Sequence, residues 1–377
     1  MKVQVLQENF QRGLAIVSRA VPSQTSLPIA ANVLIGTDGG RLKLSATDLD
    51  ISISAWIGAR VDSEGVTTIP ARLLNDFVAQ LPAETTDIEL PDGERQVRIA
   101  CARHEATINI MNADDFPAIE SLTEGISIDS NAAELKHAID RVEFAAASDD
   151  TRPVLTGVSF KTDGETLTLA AADGFRLAVA DVALANAPTE ALDIIVPARA
   201  LRELSRLMGD SDDAFVIRVN NEKTKILFGR PDFEIVAQLV QGTFPNYQQL
   251  IPSEWSTRTI VDADQFSRSA RIAAVLARDG SGIVRVQITP EGEGDSSGKL
   301  VLSARADEIG DNQNELEAQV EGEAAKIAFN SRYLKDVLDA LSGDIALETT
   351  SPSSQGVFRS VKDDSYLHVV MPMFVQW

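Results

Sequence analysis

Cysteine is nearly missing from this chain of 377 residues: the lone Cys101 excludes an internal disulfide and the usual multi-cysteine zinc patterns. Histidine is scarce too. His104, His137 and His368 have no Ser, Cys or ligand partner at a spacing that nucleophilic or metal chemistry needs. No run of about eighteen apolar residues occurs, so no membrane-spanning helix is expected. The opening Met1-Lys2-Val3-Gln4-Val5-Leu6 is too short and too polar for a secretion signal. Together these absences predict a cytoplasmic protein with no metal and no cofactor. Positive charge is also in deficit, 34 Lys and Arg against 56 Asp and Glu, for a formal net charge of −22. Taken as an average, that balance argues against nucleic acid, whose phosphates call for basic side chains. An average hides where the charges lie, and partner choice depends on the distribution.

Carboxylates do come in pairs: Asp48 and Asp50, Asp114 and Asp115, Asp149 and Asp150. Each sits at a turn or strand edge without a Glu-rich or His-rich complement, so solvated turns are expected rather than a metal or glycosidase centre. The acidic, glycine-rich stretch 291–298 follows no clear strand-to-helix entry and no Lys closes it, so it reads as a hairpin loop and not a phosphate cradle. No catalytic constellation results, and the chain is not expected to be an enzyme.

What is present is repetition. A strand ends in a short polar turn and launches an Arg-started helix three times, at Ile69-Pro70-Ala71-Arg72, Val196-Pro197-Ala198-Arg199 and Phe329-Asn330-Ser331-Arg332. The landmarks at 70, 197 and 330 are 127 and 133 residues apart. A second landmark follows each: Phe116-Pro117, Phe244-Pro245 and Met371-Pro372. Two landmarks keeping step three times imply three like-folded modules, with boundaries 1–124, 125–253 and 254–377. Helices are expected at 8–20, 72–81, 134–147, 199–208, 264–277 and 331–341. Alternating stretches such as 41–45, 166–169 and 299–303 predict antiparallel strands with one buried face. The fold class is therefore α+β.

The six helix windows hold twelve basic and nine acidic residues, although the chain as a whole is strongly acidic. Arg199, Arg202 and Arg206 share one helical face while Leu201, Leu204, Leu207 and Met208 make another. Arg12 and Arg19, Arg72, Arg141, and Arg268 and Arg271 occupy comparable positions on other helices. If these helices line one surface, it can face DNA phosphates while the acidic remainder repels them. From the residues alone, a protein-only acidic scaffold and a hydrolase with an acidic cleft stay open.

Seven motifs, in order, decide between them: Thr25-Ser26-Leu27-Pro28-Ile29, Ala46-Thr47-Asp48-Leu49-Asp50, Ile69-Pro70-Ala71-Arg72, Asp115-Phe116-Pro117, Ala172-Asp173-Gly174-Phe175-Arg176-Leu177-Ala178, Gly242-Thr243-Phe244-Pro245-Asn246-Tyr247 and Val369-Val370-Met371-Pro372-Met373. Across its whole length the chain resembles the bacterial sliding clamps, the β subunits of DNA polymerase III. The resemblance implies three clamp modules per chain and a head-to-tail homodimer forming a six-module ring, helices inside and antiparallel sheets outside. It implies a processivity factor that encircles duplex DNA without reading sequence. Its partners would be the polymerase III α subunit, the clamp loader, and other polymerases and repair proteins carrying clamp-binding peptides. DNA contact is implied at Gln24, Arg72, Arg12, Arg19, Arg141, Arg199, Arg202, Arg206, Arg268 and Arg271. A peptide groove is implied at Arg152, Leu155, Ala172, Gly174, Phe175, Arg176, Leu177, Pro245, Leu250, Val369, Val370, Met371, Pro372 and Met373. The dimer contact is implied at Leu73, Leu74, Ala106 and Ile108 on one side and Ala274, Val275 and Leu276 on the other. The chain departs from the family at Gln24, Gln248 and Gln249, where basic residues are common, at Pro153-Val154, and in a long aromatic ending, Phe374-Val375-Gln376-Trp377.

Overall fold

The computed structural model describes residues 1–209, 215–292, 297–306 and 310–377. Within the predicted loop 291–298, residues 293–296 lie outside the described residues. Among the described residues each third of the chain carries eight strands and two helices. The first has β1 (Lys2–Leu6), α1 (Gln7–Val17), β2 (Asn32–Asp38), β3 (Arg41–Thr47), β4 (Ile51–Ser63), β5 (Val66–Pro70), α2 (Ala71–Gln80), β6 (Thr85–Glu89), β7 (Gln96–Cys101) and β8 (His104–Asn109). The second has β9 (Ile126–Ile128), α3 (Ala132–Val142), β10 (Gly157–Asp163), β11 (Thr166–Ala172), β12 (Arg176–Ala183), β13 (Asp193–Pro197), α4 (Ala198–Met208), β14 (Val216–Val219), β15 (Lys225–Arg230) and β16 (Phe233–Gln238). The third has β17 (Thr257–Asp262), α5 (Ala263–Asp279), β18 (Ile283–Thr289), β19 (Gly298–Ala306), β20 (Gly310–Gly322), β21 (Ala325–Asn330), α6 (Ser331–Asp339), β22 (Asp344–Thr349), β23 (Gly356–Ser360) and β24 (Tyr366–Val370).

The repeated turn signals do what their chemistry suggests. In each third a strand runs directly into a helix, β5 into α2, β13 into α4 and β21 into α6. Asn330 caps α6 by accepting the Arg332 amide at 2.9 Å, and Asp262 caps α5 through the Gln265 amide at 2.9 Å, each satisfying a donor that the first turn leaves orphaned. The period-2 pattern holds: β17 buries Thr257, Thr259 and Val261 in alternation. The helical pattern holds as well, with Phe10, Leu14 and Val17 of α1 sealed against β3 and β4. Three helices end two or more residues early, the one expected over 331–341 at Asp339. The helix expected over 134–147 stops at Val142 and gives way to a 3-10 turn over Glu143–Ala145, and the one expected over 8–20 stops at Val17 with a 3-10 turn over Ser18–Ala20.

The strands form two antiparallel sheets of twelve. One runs β8-β7-β6-β1-β4-β16-β15-β14-β9, with β3, β2 and β5 attached through β4; the other runs β13-β10-β11-β12-β24-β23-β22-β17-β20-β19-β18-β21. The chain falls into two compact units that follow this division. The middle third supplies strands to both, and the division passes through α4 between Arg202 and Glu203.

The two places where a sheet crosses from one third to the next are built alike. Asp48 Oδ1 accepts the amides of Asp50 and Ile51 to turn β3 into β4. Asp173 Oδ1 accepts those of Phe175 and Arg176 to turn β11 into β12. The strand leaving each turn then pairs with the last strand of the following third: Ile51 with Ala237 in β16, and Arg176 with Val370 in β24. The third copy lacks that neighbour. Among the described residues, residues 310–318 of β20 pair only with β19, and β8 pairs only with β7.

Candidate functional site

Basic side chains stand on the exposed faces of the helices, and many are held by nearby carboxylates. Arg202 reaches Glu143 at 2.8 Å, while Arg206 and Arg19 both reach Glu203 at 3.0 Å. Arg271 and Lys335 converge on Asp339 at 2.6 and 2.9 Å. Partial burial opposes the charge on Asp339, but the hydrogen bonds from Arg271 and Lys335 outweigh it and lower its pKa. Arg12 is bonded to Asn9, and Gln24, Arg72, Arg199 and Arg268 are exposed. The carboxylates are partly covered, but the Arg202, Arg206 and Arg271 side chains are 45–59% exposed, so these cations remain accessible to a phosphate.

Arg141 is the exception, and the expectation of DNA contact fails there. Its side chain is buried, bonded to Asp363 at 2.8 Å and lying 5.2 Å from the Tyr366 ring centre. Asp363 is 222 residues away in sequence, which is why helical position alone misassigned the residue.

The groove residues gather within one unit, at the β12–β24 junction. Residues opposite each other in an antiparallel pair share a face, so Leu177 and Val369 lie on one face and Arg176 and Val370 on the other. Leu177, Val369, Ala170, Val179 and Val357 form an apolar cluster, across which residues 244–251 lay Phe244, Tyr247 and Ile251, with Ala172 alongside. Phe244 and Tyr247 meet edge to face at 6.2 Å. Burial raises the Tyr247 pKa. Around this floor Phe175 is 59% exposed, Leu250 49% and Met371 40%, and Pro245 and Arg152 are exposed too. Arg152 donates to the Asp173 carbonyl at 2.7 Å, directly under Gly174. Gly174 has φ +94°, a conformation that favours glycine, and a Cβ there would also push aside the Arg152 guanidinium 2.7 Å away.

Two expected groove residues do not face it. Val370 is fully buried on the opposite sheet face. Arg176 is also buried, bonded to Asp336 of α6 at 2.7 Å, Asp173 at 3.0 Å and the Phe144 carbonyl at 2.7 Å. Its guanidinium lies 4.7 Å from the Tyr333 ring centre and 5.4 Å from that of Phe144. It is a keystone beneath the groove. Leu155 is buried as well, whereas Pro372 and Met373 are half-buried at the rim. Tyr333, which stacks on Phe175 at 6.4 Å, and Asp336 carried no sequence signal for this site, since α6 reads as an ordinary amphipathic helix.

At the expected dimer surfaces, Leu74 and Ile108 are sealed in the core of their own unit and have no side-chain surface to offer. Leu73 is exposed, Ala106, Ala274 and Leu276 are half-buried, and Val275 is 61% exposed. Ile272, which sequence pattern did not single out, is 47% exposed beside Val275 in a cleft with Arg268 and Arg271.

Family models for the N-terminal, central and C-terminal domains of the DNA polymerase III beta subunit match residues 1–120, 129–246 and 248–374. The chain belongs to the bacterial sliding-clamp family. It is 33% identical to the beta sliding clamp of Synechococcus elongatus over 99% of both chains, and 30% identical to that of Caulobacter vibrioides over the whole of both. The solved sliding clamp of Bacillus subtilis superposes over both full chains with a TM-score of 0.93 at 26% identity. A clamp from Pseudomonas aeruginosa bound to griselimycin does so at 0.89 and 27%. The chain is thus a replication processivity clamp and not an enzyme.

Two titratable groups of the clamp, one fully and one partly buried, make a testable pH response. His368 is fully buried, stacked on Phe144 at 5.6 Å with its Nδ1 3.0 Å from the Tyr366 hydroxyl. Burial, reinforced by the charge of Arg176, pushes its pKa down to about 3. At Asp363 burial works against the charge, yet hydrogen bonds from Ser365 and Arg141 win and hold its carboxyl at about 2. Both pKa values lie below those of the unfolded chain, so the unfolded state takes up more protons on acidification. Stability should fall from about pH 6.5 downward through His368, and further below about pH 4 through Asp363. A His368→Gln variant should show a flatter decline in Tm between pH 7 and 4; an unchanged slope would refute the assignment.

Proposed function

We propose that two copies of this clamp close head to tail into a ring of six modules around duplex DNA. The modules would be 1–124, 125–253 and 254–377 of each chain. One observation carries the reading. Each junction within the chain is a strand of the β4 or β12 type paired with the last strand of the next third, and the two strands left without that partner are the corresponding part of β20 and β8. Pairing β20 of one copy with β8 of another repeats the internal junction, and doing so twice closes a head-to-tail ring and covers both of these strand edges. The helix arginines then support a channel that meets phosphates without reading bases. Holding is topological, so weak contacts suffice and still permit sliding. The apolar groove supports docking of short peptides from the polymerase III α subunit, the clamp loader, and other polymerases and repair proteins in the cytoplasm. Tethering by such a peptide raises the polymerase's local concentration at the primer end.

The deciding experiment pairs sedimentation velocity with retention on circular and linearised DNA. A dimer retained on circles and lost from linear ends is expected; equal loss from both would overturn the ring. Arg199, Arg202 and Arg206 supply the second test. Replacement by Gln removes their charge without setting new carboxylates against Glu143 and Glu203. Passive DNA association should weaken, and its log–log salt slope should flatten by about 0.9 for each phosphate no longer neutralised. An unchanged slope would remove this face from the channel.

A further inference from the structure

The chain's last residues cross from one neighbour to another within a few positions. Met371 donates its amide to the Phe175 carbonyl at 2.8 Å, extending the β12 edge by one residue beyond β24. Pro372 has no amide to donate. Met373 donates to the Ala328 carbonyl of β21 at 2.7 Å. The groove rim therefore hangs on two amides across a proline. Beyond it the aromatic ending does not turn back over Leu177 and Val369. It continues along β21 and β18, where Arg285 donates to the Gln376 carbonyl at 3.2 Å. There the Trp377 ring takes two cations, Lys326 Nζ at 5.6 Å and the Arg285 guanidinium at 6.0 Å from its centre. Val375 faces a cavity lined in part by Ile283, Arg285 and Ser303. Phe374, by contrast, is 92% exposed and contributes little to the anchoring.

We infer that Phe374–Trp377 is a latch, with Trp377 the positioning residue that holds Met371, Pro372 and Met373 in place as the rim of the peptide groove. The inference rests on the reading of that groove as the partner-peptide site. Arg285 and Lys326 are on adjacent strands, with Arg285 opposite Ala328 and Lys326 opposite Gln287. One ring over both cations therefore ties the tail to the same two strands that receive Met373. Freed from this anchor, the rim residues regain backbone freedom, and a ligand must order them at its own expense. The tail thus favours peptide binding and does not compete with it.

The test has two readouts on the full-length chain: amide hydrogen exchange at Met371 and Met373, and titration with a labelled peptide carrying a Gln- and Leu-containing clamp-binding motif. Trp377→Ala should accelerate exchange at Met373 and weaken the peptide by about tenfold. Trp377→Phe, which keeps a ring over the cations, should recover most of both. If the wild type binds the peptide and Trp377→Ala binds it equally with Met373 still protected, the latch is overturned and the groove stands. If the wild type does not bind the peptide, the groove reading falls and the positioning role with it.

Discussion

Replacing Ile272 and Val275 together by aspartate should turn the clamp into a soluble monomer of 40.6 kDa. Helix α5 buries Phe266, Ala270, Ala273 and Ala277, a helical stripe that faces its own core. Ile272 and Val275 stand off that stripe, so aspartate there leaves the fold of the unit alone. In a ring each would be pressed into the interface, and the cost of desolvating a carboxylate there exceeds what the neighbouring Arg268 and Arg271 return. At roughly 3 kcal/mol each, two such charges weaken association by about four orders of magnitude per interface. Sedimentation velocity at micromolar concentration reads the result directly, and retention on circular DNA should vanish with the dimer. A persistent dimer would mean that the chains meet elsewhere. Leu73→Asp on α2 tests the opposing surface in the same way, whereas Leu74→Asp would only break a core.

The second large effect is on stability. Arg176→Ala should destabilise the unit that holds the groove by about 3–5 kcal/mol, because it takes the guanidinium from Asp336 and leaves Asp173 only its backbone amides, in a site where the Arg side chain is only 5% exposed. It also removes the cation between the Phe144 and Tyr333 rings. Arg176→Lys should rescue little, since one ammonium cannot serve two carboxylates and a carbonyl in the geometry of a planar fork. Thermal unfolding measures the loss; a Tm within a degree of the wild type would show that Arg176 is not a keystone.

Sequence pattern revealed the local structure well and the long-range structure poorly, for a physical reason. Apolar spacing located all six helices, because an amphipathic face is written into residues three and four apart. The same spacing separates Leu73 from Leu74: Ala71, Leu74 and Val78 form the buried stripe, so the core position of Leu74 is legible even where the family resemblance implies an interface. Ile272 was legible likewise, as an apolar residue off the stripe of α5. Arg141 and Arg176 were not. Arg176 has a local partner in Asp173, but what makes each a buried ion is a carboxylate 222 or 160 residues away, which the local sequence does not announce. The groove floor lay between these cases. The motif 172–178 was visible, but which of its residues face the ligand depends on the β12–β24 register, which sequence does not supply.

The sharing of the middle third between two sheets bears on how this chain can be cut. A fragment spanning 125–253 would be a reasonable domain by repeat length, yet it would leave β16 without β4 and β12 without β24. Two full rows of amides and carbonyls would face solvent, one of them flanked by the apolar Leu177 and Val179, and unpaired edges of that kind recruit other chains. Excised alone, the centre of this protein should aggregate. The joints between the repeats are thus among the least separable parts of the molecule.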